Sequence, residues 1–135
     1  MIEQMTVQTT DQGIEEITDR IEEIVGQAGI AEGMCTVFIR HTSASLVIQE
    51  NAAPAARRDL EEWLNRLVEE GDPLYTHTAE GPDDMPAHIK SALTNTSLNI
   101  PILDGALALG TWQGIFLWEH RHGGRQRRLV VEVRG

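Results

Sequence analysis

The apolar residues Cys35, Val37 and Ile39 recur at every second position, the period of a strand with one buried face. His41 falls on the same face, with Thr36, Phe38 and Arg40 on the other. An imidazole that ends an apolar row stands at the rim of a core, where a rigid scaffold can present it to a ligand. Six residues at about 3.3 Å each put Cys35 and His41 roughly 20 Å apart, too far to share a metal. The same period marks Glu3–Thr9, Leu46–Glu50, Ser97–Pro101 and Arg128–Val133 as strands, and Ile14–Thr18 reads as another. Turn signals stand at Thr10-Asp-Gln-Gly13, Leu103-Asp-Gly105 and Gly123-Gly124.

Three stretches carry the 3.6-residue period of a helix. Ile21, Ile24, Val25 and Ala28 follow Asp19, which with Glu22 forms a capping-box pattern, and Gly29 ends the run. Leu60, Trp63, Leu64, Leu67 and Val68 form the clearest amphipathic stripe, behind a Pro54 suited to a first helical turn. Met85–Leu93 reads as the third helix, capped by Asp84 with Pro86 in its first turn. The apolar, glycine-punctuated run Leu107–Glu119 reads as one bent central strand. Strands interleave with helices without a regular βαβ repeat. This predicts a single α+β domain over residues 1–135, with a mixed or antiparallel sheet core and about three helices.

Composition narrows the function classes. Residues 1–72 carry 15 acids against 5 arginines and hold the whole net charge of −10, while residues 73–135 balance. That excludes a non-specific nucleic-acid binder, which needs a basic footprint. No apolar run nears the ~18 residues of a bilayer span, so no membrane partner is expected. With one cysteine and no signal-peptide pattern at Met1-Ile-Glu-Gln-Met, a reducing, cytoplasmic setting is the expectation.

Candidate chemistry centres on the five histidines. His88 lies in the first turn of its helix, where the positive end of the dipole favours a neutral ring, the form that coordinates metal. Asp84, four residues earlier, shares its face and can orient it. His77 sits in the polar, aperiodic segment Tyr75–Asp84. His41, His77 and His88 would make a three-nitrogen, open-sided metal site if the fold brings strand end, loop and helix start together, although their spacing matches no standard metal signature. Most histidines do nothing special, and on pattern alone the plain alternative is that Asp84 only caps and His88 only faces solvent. Thr42, Ser43 and Ser45 are small hydroxyls that can bind an anion or cap a turn. Glu119 ends the apolar row Ile115, Leu117, a position that fits either a buried partner, arginine or metal, or a solvated rim carboxylate. Arg121 and Arg125 belong to an arginine-rich C-terminal stretch suited to phosphate or carboxylate, or to pairing with the acidic half of the chain. His120 and His122 could chelate as an i, i+2 pair in an extended strand, but beside Gly123-Gly124 they read rather as turn residues.

The segments His41-Thr-Ser-Ala-Ser, Tyr75-Thr-His77, Asp83-Asp-Met-Pro-Ala-His88-Ile-Lys and Leu107-Ala-Leu-Gly-Thr-Trp-Gln-Gly-Ile-Phe116 strongly resemble the YjbQ-like family, also labelled secondary thiamine-phosphate synthase. The resemblance covers nearly the whole chain. It implies an α+β fold assembled as a homotrimer, and His41, His77 and His88 in one metal-binding site. It also implies Glu119 and Gln113 as neighbours of that site. The label implies joining hydroxymethylpyrimidine diphosphate to thiazole phosphate with loss of pyrophosphate.

Two classes of function follow. In the first, an enzyme holds a divalent ion, zinc or magnesium, on the three histidines and acts on a small phosphorylated substrate. Glu119, Asp84 and Gln113 are its candidate catalytic groups, and Thr42, Ser43, Ser45, Arg121 and Arg125 its candidate substrate contacts. Transfer to thiazole and transfer to water use the same parts. In the second, the chain is a trimeric small-ligand or metal-binding protein without turnover.

Overall fold

The computed structural model describes all 135 residues and orders eight strands and three helices as β1 (Ile2–Gln8), β2 (Gly13–Glu16), α1 (Thr18–Ala28), β3 (Gly33–Ile39), β4 (Ala44–Glu50), α2 (Pro54–Leu67), α3 (Asp84–Leu93), β5 (Ser97–Leu103), β6 (Ala106–Leu107), β7 (Gln113–Glu119) and β8 (Gln126–Arg134). The fold is α+β, as the interleaving predicts. Two antiparallel sheets face each other, one of five strands in the order β1-β8-β3-β5-β6 and one of three in the order β2-β7-β4. Their inner faces, joined by Ile21 and Val25 of α1, close a core that includes Cys35, Val37, Ile39, Leu46, Ile115, Leu117, Leu129 and Val131. The alternation read from residues 35–39 is the burial seen.

β7 is buried on both faces because a second apolar layer covers the small sheet. Phe116 and Trp118 point away from the main core and meet Leu64 of α2 and Val68, the residue that follows its last turn. The stripe on α2 is thus explained, although Trp63 and Leu67 on its flank remain exposed. The outer face of the five-stranded sheet has no helix over it and presents Ile2, Phe38 and Leu103 to solvent. No helix is long and apolar enough to cross a membrane.

Several boundaries differ from the sequence pattern. The run Leu107–Glu119 is not one strand. β6 ends at Leu107 in the large sheet, and β7 starts at Gln113 in the small one. The corner between them is held by Gln113, whose side-chain oxygen accepts from the Gly110 N–H at 2.8 Å and whose own N–H donates to the Gly110 carbonyl. The capping box at Asp19 does not form. Thr18 opens α1 instead, linking Glu16 Oε2 to the Ile115 N–H. Asp84 is the first residue of α3, not its cap, and Asp83 holds the N-cap position without a side-chain cap bond. Gly29 ends α1 in the left-handed conformation, as expected.

Candidate functional site

The start of α3 gathers most of the chemistry. Asp84 Oδ2 lies 2.7 Å from His77 Nε2 and 3.1 Å from His88 Nε2. The two rings are 5.3 Å apart between centroids. One ligand atom from each of His77, Asp84 and His88 falls within 4.8 Å of the others. His88 is placed by helical spacing, one turn after Asp84. His77 arrives from the aperiodic segment between α2 and α3. The Asp84 side chain is 4% exposed, against 46% for His77 and 31% for His88, so a buried carboxylate carries two accessible imidazoles.

Protons decide what this arrangement can do. His88 Nδ1 donates to the Thr42 carbonyl at 2.9 Å, an oxygen that can only accept. In the neutral ring Nε2 therefore bears a lone pair, and it faces the lone pairs of Asp84 Oδ2. A cation between them, or a proton on the ring, resolves that opposition. An imidazole whose outer nitrogen is fixed by a carbonyl while the inner one is bare is the arrangement that orients a metal ligand. Burial pushes the Asp84 carboxyl up, but the hydrogen bond from His77 and the charges of His88 and Arg121 outweigh it and hold the group below the ordinary carboxylate value.

The other sequence candidates are placed differently. His41 does not join His77 and His88; Asp84 takes the third position. The Arg128 N–H donates to His41 Nε2 at 2.8 Å, and Arg127 Nη1 stands 3.3 Å from Nδ1, so both ring nitrogens face donors. Burial first, then the Arg127 charge, hold His41 below the ordinary histidine value, against an opposing pull from Glu119. His41 nonetheless lines a groove with His88, Thr42, Ser91 and Thr96. An adjoining groove adds Arg40 and Ser43, and no carboxylate lines either one. On the far side of the cluster His77 lines a third groove with Asp72, Tyr75 and Met85.

Glu119 is 1% exposed and fully committed. Arg127 grips both its oxygens, Thr9 Oγ1 donates to Oε1 at 2.8 Å, and the Arg121 N–H donates to Oε2. Of the two readings of its position, the buried arginine partner is the one found, and the rim position is not. Gln113 holds the β6–β7 corner, six residues or roughly 20 Å along β7 from Glu119. Ser45, also 1% exposed, is sealed beside His120 at 2.8 Å and Thr94 at 2.6 Å, which removes it as a substrate contact. Ser43 Oγ accepts from Arg127 Nη2 at 3.0 Å, and Thr42 contributes its carbonyl. Arg121 is taken up by Asp83 and Asp84. Arg125 leaves its buried Nε without a partner.

His120 is not a solvent-facing turn residue. It is 1% exposed, and burial first, then Lys90 and Arg127, drive it down to about 3. Thr94 Oγ1 meets both the Lys90 carbonyl and Ser45 Oγ, and Ser45 Oγ in turn meets His120 Nε2. This leaves Nδ1 buried and unpartnered. His122 is exposed and pairs with Glu70. Sequence reasoning missed Arg127, Asp83 and the Thr42 carbonyl. Arg127 had a signal: it keeps the inward parity of Leu129, Val131 and Val133 on β8.

A two-sheet α+β protein with a His–Asp–His cluster at a helix start is the class these features define. The chain belongs to the YjbQ family: the model described as "UPF0047 protein YjbQ-like" matches residues 3–135. It is 50% identical over 131 residues to the UPF0047 protein sll1880 of Synechocystis, covering 97% of this chain and 89% of that one. It is 39% identical to the UPF0047 protein YjbQ of Escherichia coli O157:H7, over 97% of this chain and 95% of the relative. Among solved structures, an uncharacterised conserved protein of the YjbQ/UPF0047 family from Clostridium acetobutylicum superposes with a TM-score of 0.88 at 36% identity, covering 97% and 98% of the two chains. The hypothetical protein TT1486 of Thermus thermophilus superposes at 0.86 with 32% identity, over 97% and 98%.

Proposed function

We propose that the chain binds a divalent metal ion on His77, Asp84 and His88 and acts there on a small phosphorylated substrate. The observation that carries this reading is the bare His88 Nε2 aimed at Asp84 Oδ2 while its Nδ1 is spent on the Thr42 carbonyl. Two imidazole nitrogens and one carboxylate oxygen suit zinc better than magnesium, which favours six oxygens. Such an ion supplies Lewis-acid charge to a phosphate oxygen. The groove beside His88 receives the anionic group, with Arg40, Thr42, Ser43 and Thr96 along it and no acid to repel it, in a chain of net charge −10.

Transfer to water needs no second substrate, so hydrolysis is the reaction the arrangement favours. Thiamine-phosphate synthesis is the second reading and rests on the family resemblance alone. A homotrimer fits the outer face of the five-stranded sheet, which carries no helix and leaves Ile2, Phe38 and Leu103 exposed. Zinc uptake by tag-free protein, followed by competition with a chelator, tests the centre. About one ion per chain supports it, and less than roughly a tenth removes it. Light scattering tests the trimer, and a monomer at micromolar concentration would remove it.

A further inference from the structure

The turn between β7 and β8 reaches the start of α3 through Arg121. Its Nε donates to Asp83 Oδ2 at 2.9 Å, Nη1 to Asp84 Oδ1 at 2.8 Å and Nη2 to the Glu80 carbonyl at 2.9 Å. Three nitrogens of one planar fork thus hold three acceptors along the segment that leads into the helix. A lysine, with a single nitrogen, cannot reproduce that. Asp83 is fixed a second time by the His122 N–H at 2.9 Å. The Arg121 charge helps to hold the Asp84 carboxyl below its ordinary value. The fork also sets orientation: with Oδ1 tied to Nη1, the carboxylate presents Oδ2 alone to the two imidazoles.

We infer that Arg121 is a positioning residue of the His77–Asp84–His88 centre, an inference that rests on the metal-binding reading above. Arg121 touches neither ion nor substrate. It holds Asp84 as a one-oxygen ligand and keeps the His77-bearing segment seated through the Glu80 carbonyl. Used in this way, the fork is not the phosphate clamp that its place in the arginine-rich stretch suggests. A substrate clamp would leave ion affinity unchanged, and a purely structural arginine would leave the coordination of a bound ion unchanged.

The test compares wild type, Arg121→Lys and Arg121→Gln as full chains. Zinc affinity is measured against a chelator, and the visible band of bound cobalt is read at saturation as a report of coordination. Groups that orient metal ligands are worth roughly 10–100-fold in affinity, so Arg121→Gln should weaken zinc by that factor and Arg121→Lys by about tenfold. Both should alter the cobalt band. Arg121→Lys keeps a cation between the two aspartates and carries the test if Arg121→Gln does not fold. Wild type that binds while both variants stay within about twofold, with an unchanged band, overturns the positioning role alone. Wild type that takes up no ion overturns the centre, and the positioning role with it.

Discussion

Two clusters in this molecule each centre on a buried carboxylate paired with an arginine and are chemically unlike. Around Glu119, a carboxylate meets an arginine, a threonine hydroxyl and a backbone N–H, so both oxygens are served, with Arg127 and Thr9 buried as well. Around Asp84, an arginine serves one oxygen, and the other faces two accessible imidazoles, of which one has no proton to give in its neutral form. A saturated network is a part of the scaffold. An unsaturated one at the surface has room for a ligand. A buried carboxylate with its arginine is common to both; the count of lone pairs against protons separates them.

That contrast can be broken at either end. Glu119→Ala strands the Arg127 charge in the interior, and breaking such a pair costs about 3–5 kcal/mol. Urea unfolding should show that loss, and a loss under roughly 1 kcal/mol, the scale of a surface pair, would mean the pair is not the scaffold described. Asp84→Asn should do the reverse. Zinc affinity falls by ~100-fold or more, since an orienting group alone is worth up to that, while the ion-free protein loses less stability than Glu119→Ala does, because Arg121 keeps its pairing with Asp83. A variant that keeps its zinc would sink the centre.

His120 sharpens the comparison through pH. Its value in the fold, about 3, lies below the ordinary 6.5, so the unfolded chain takes up the proton first. The neutral ring's contribution is complete above pH 6.5 and is lost as pH falls towards 3. Between pH 7.5 and 5 wild type should lose about 2 kcal/mol more than His120→Gln, read from paired urea titrations; parallel curves would refute the dry setting. The smallest effect belongs to the exposed pair of His122 with Glu70. His122→Ala should change stability by less than ~1 kcal/mol, and a larger drop would show that the turn docks through more than Arg121.

Much of the scaffold could be read from the chain because it follows local periods. The parity of residues 35–39, the stripe from Leu60 to Val68, Pro54 and Gly29 each act through neighbours a few residues away. The break within Leu107–Glu119 was hidden because both of its pieces are apolar, and only the partner strands decide which sheet each joins. The site divides in the same way. Asp84 and His88 are one helical turn apart and were legible together. His41 was misplaced because its true neighbours, Arg127 and Arg128, lie 86 and 87 residues further on. No spacing rule distinguishes an imidazole that meets a metal from one that meets a guanidinium brought by another strand.

The order of strands in the larger sheet has a consequence for assembly. β8 lies between β1 and β3, which are not hydrogen-bonded to each other. During synthesis β1 has therefore no edge to zip onto until residues 126–134 have emerged. The five-stranded sheet waits on β8, and pairings this distant in sequence close slowly. Until then the apolar inner faces of β1 and β3 are bare, which makes the nascent chain, rather than the finished fold, the stage most open to chaperones and to aggregation.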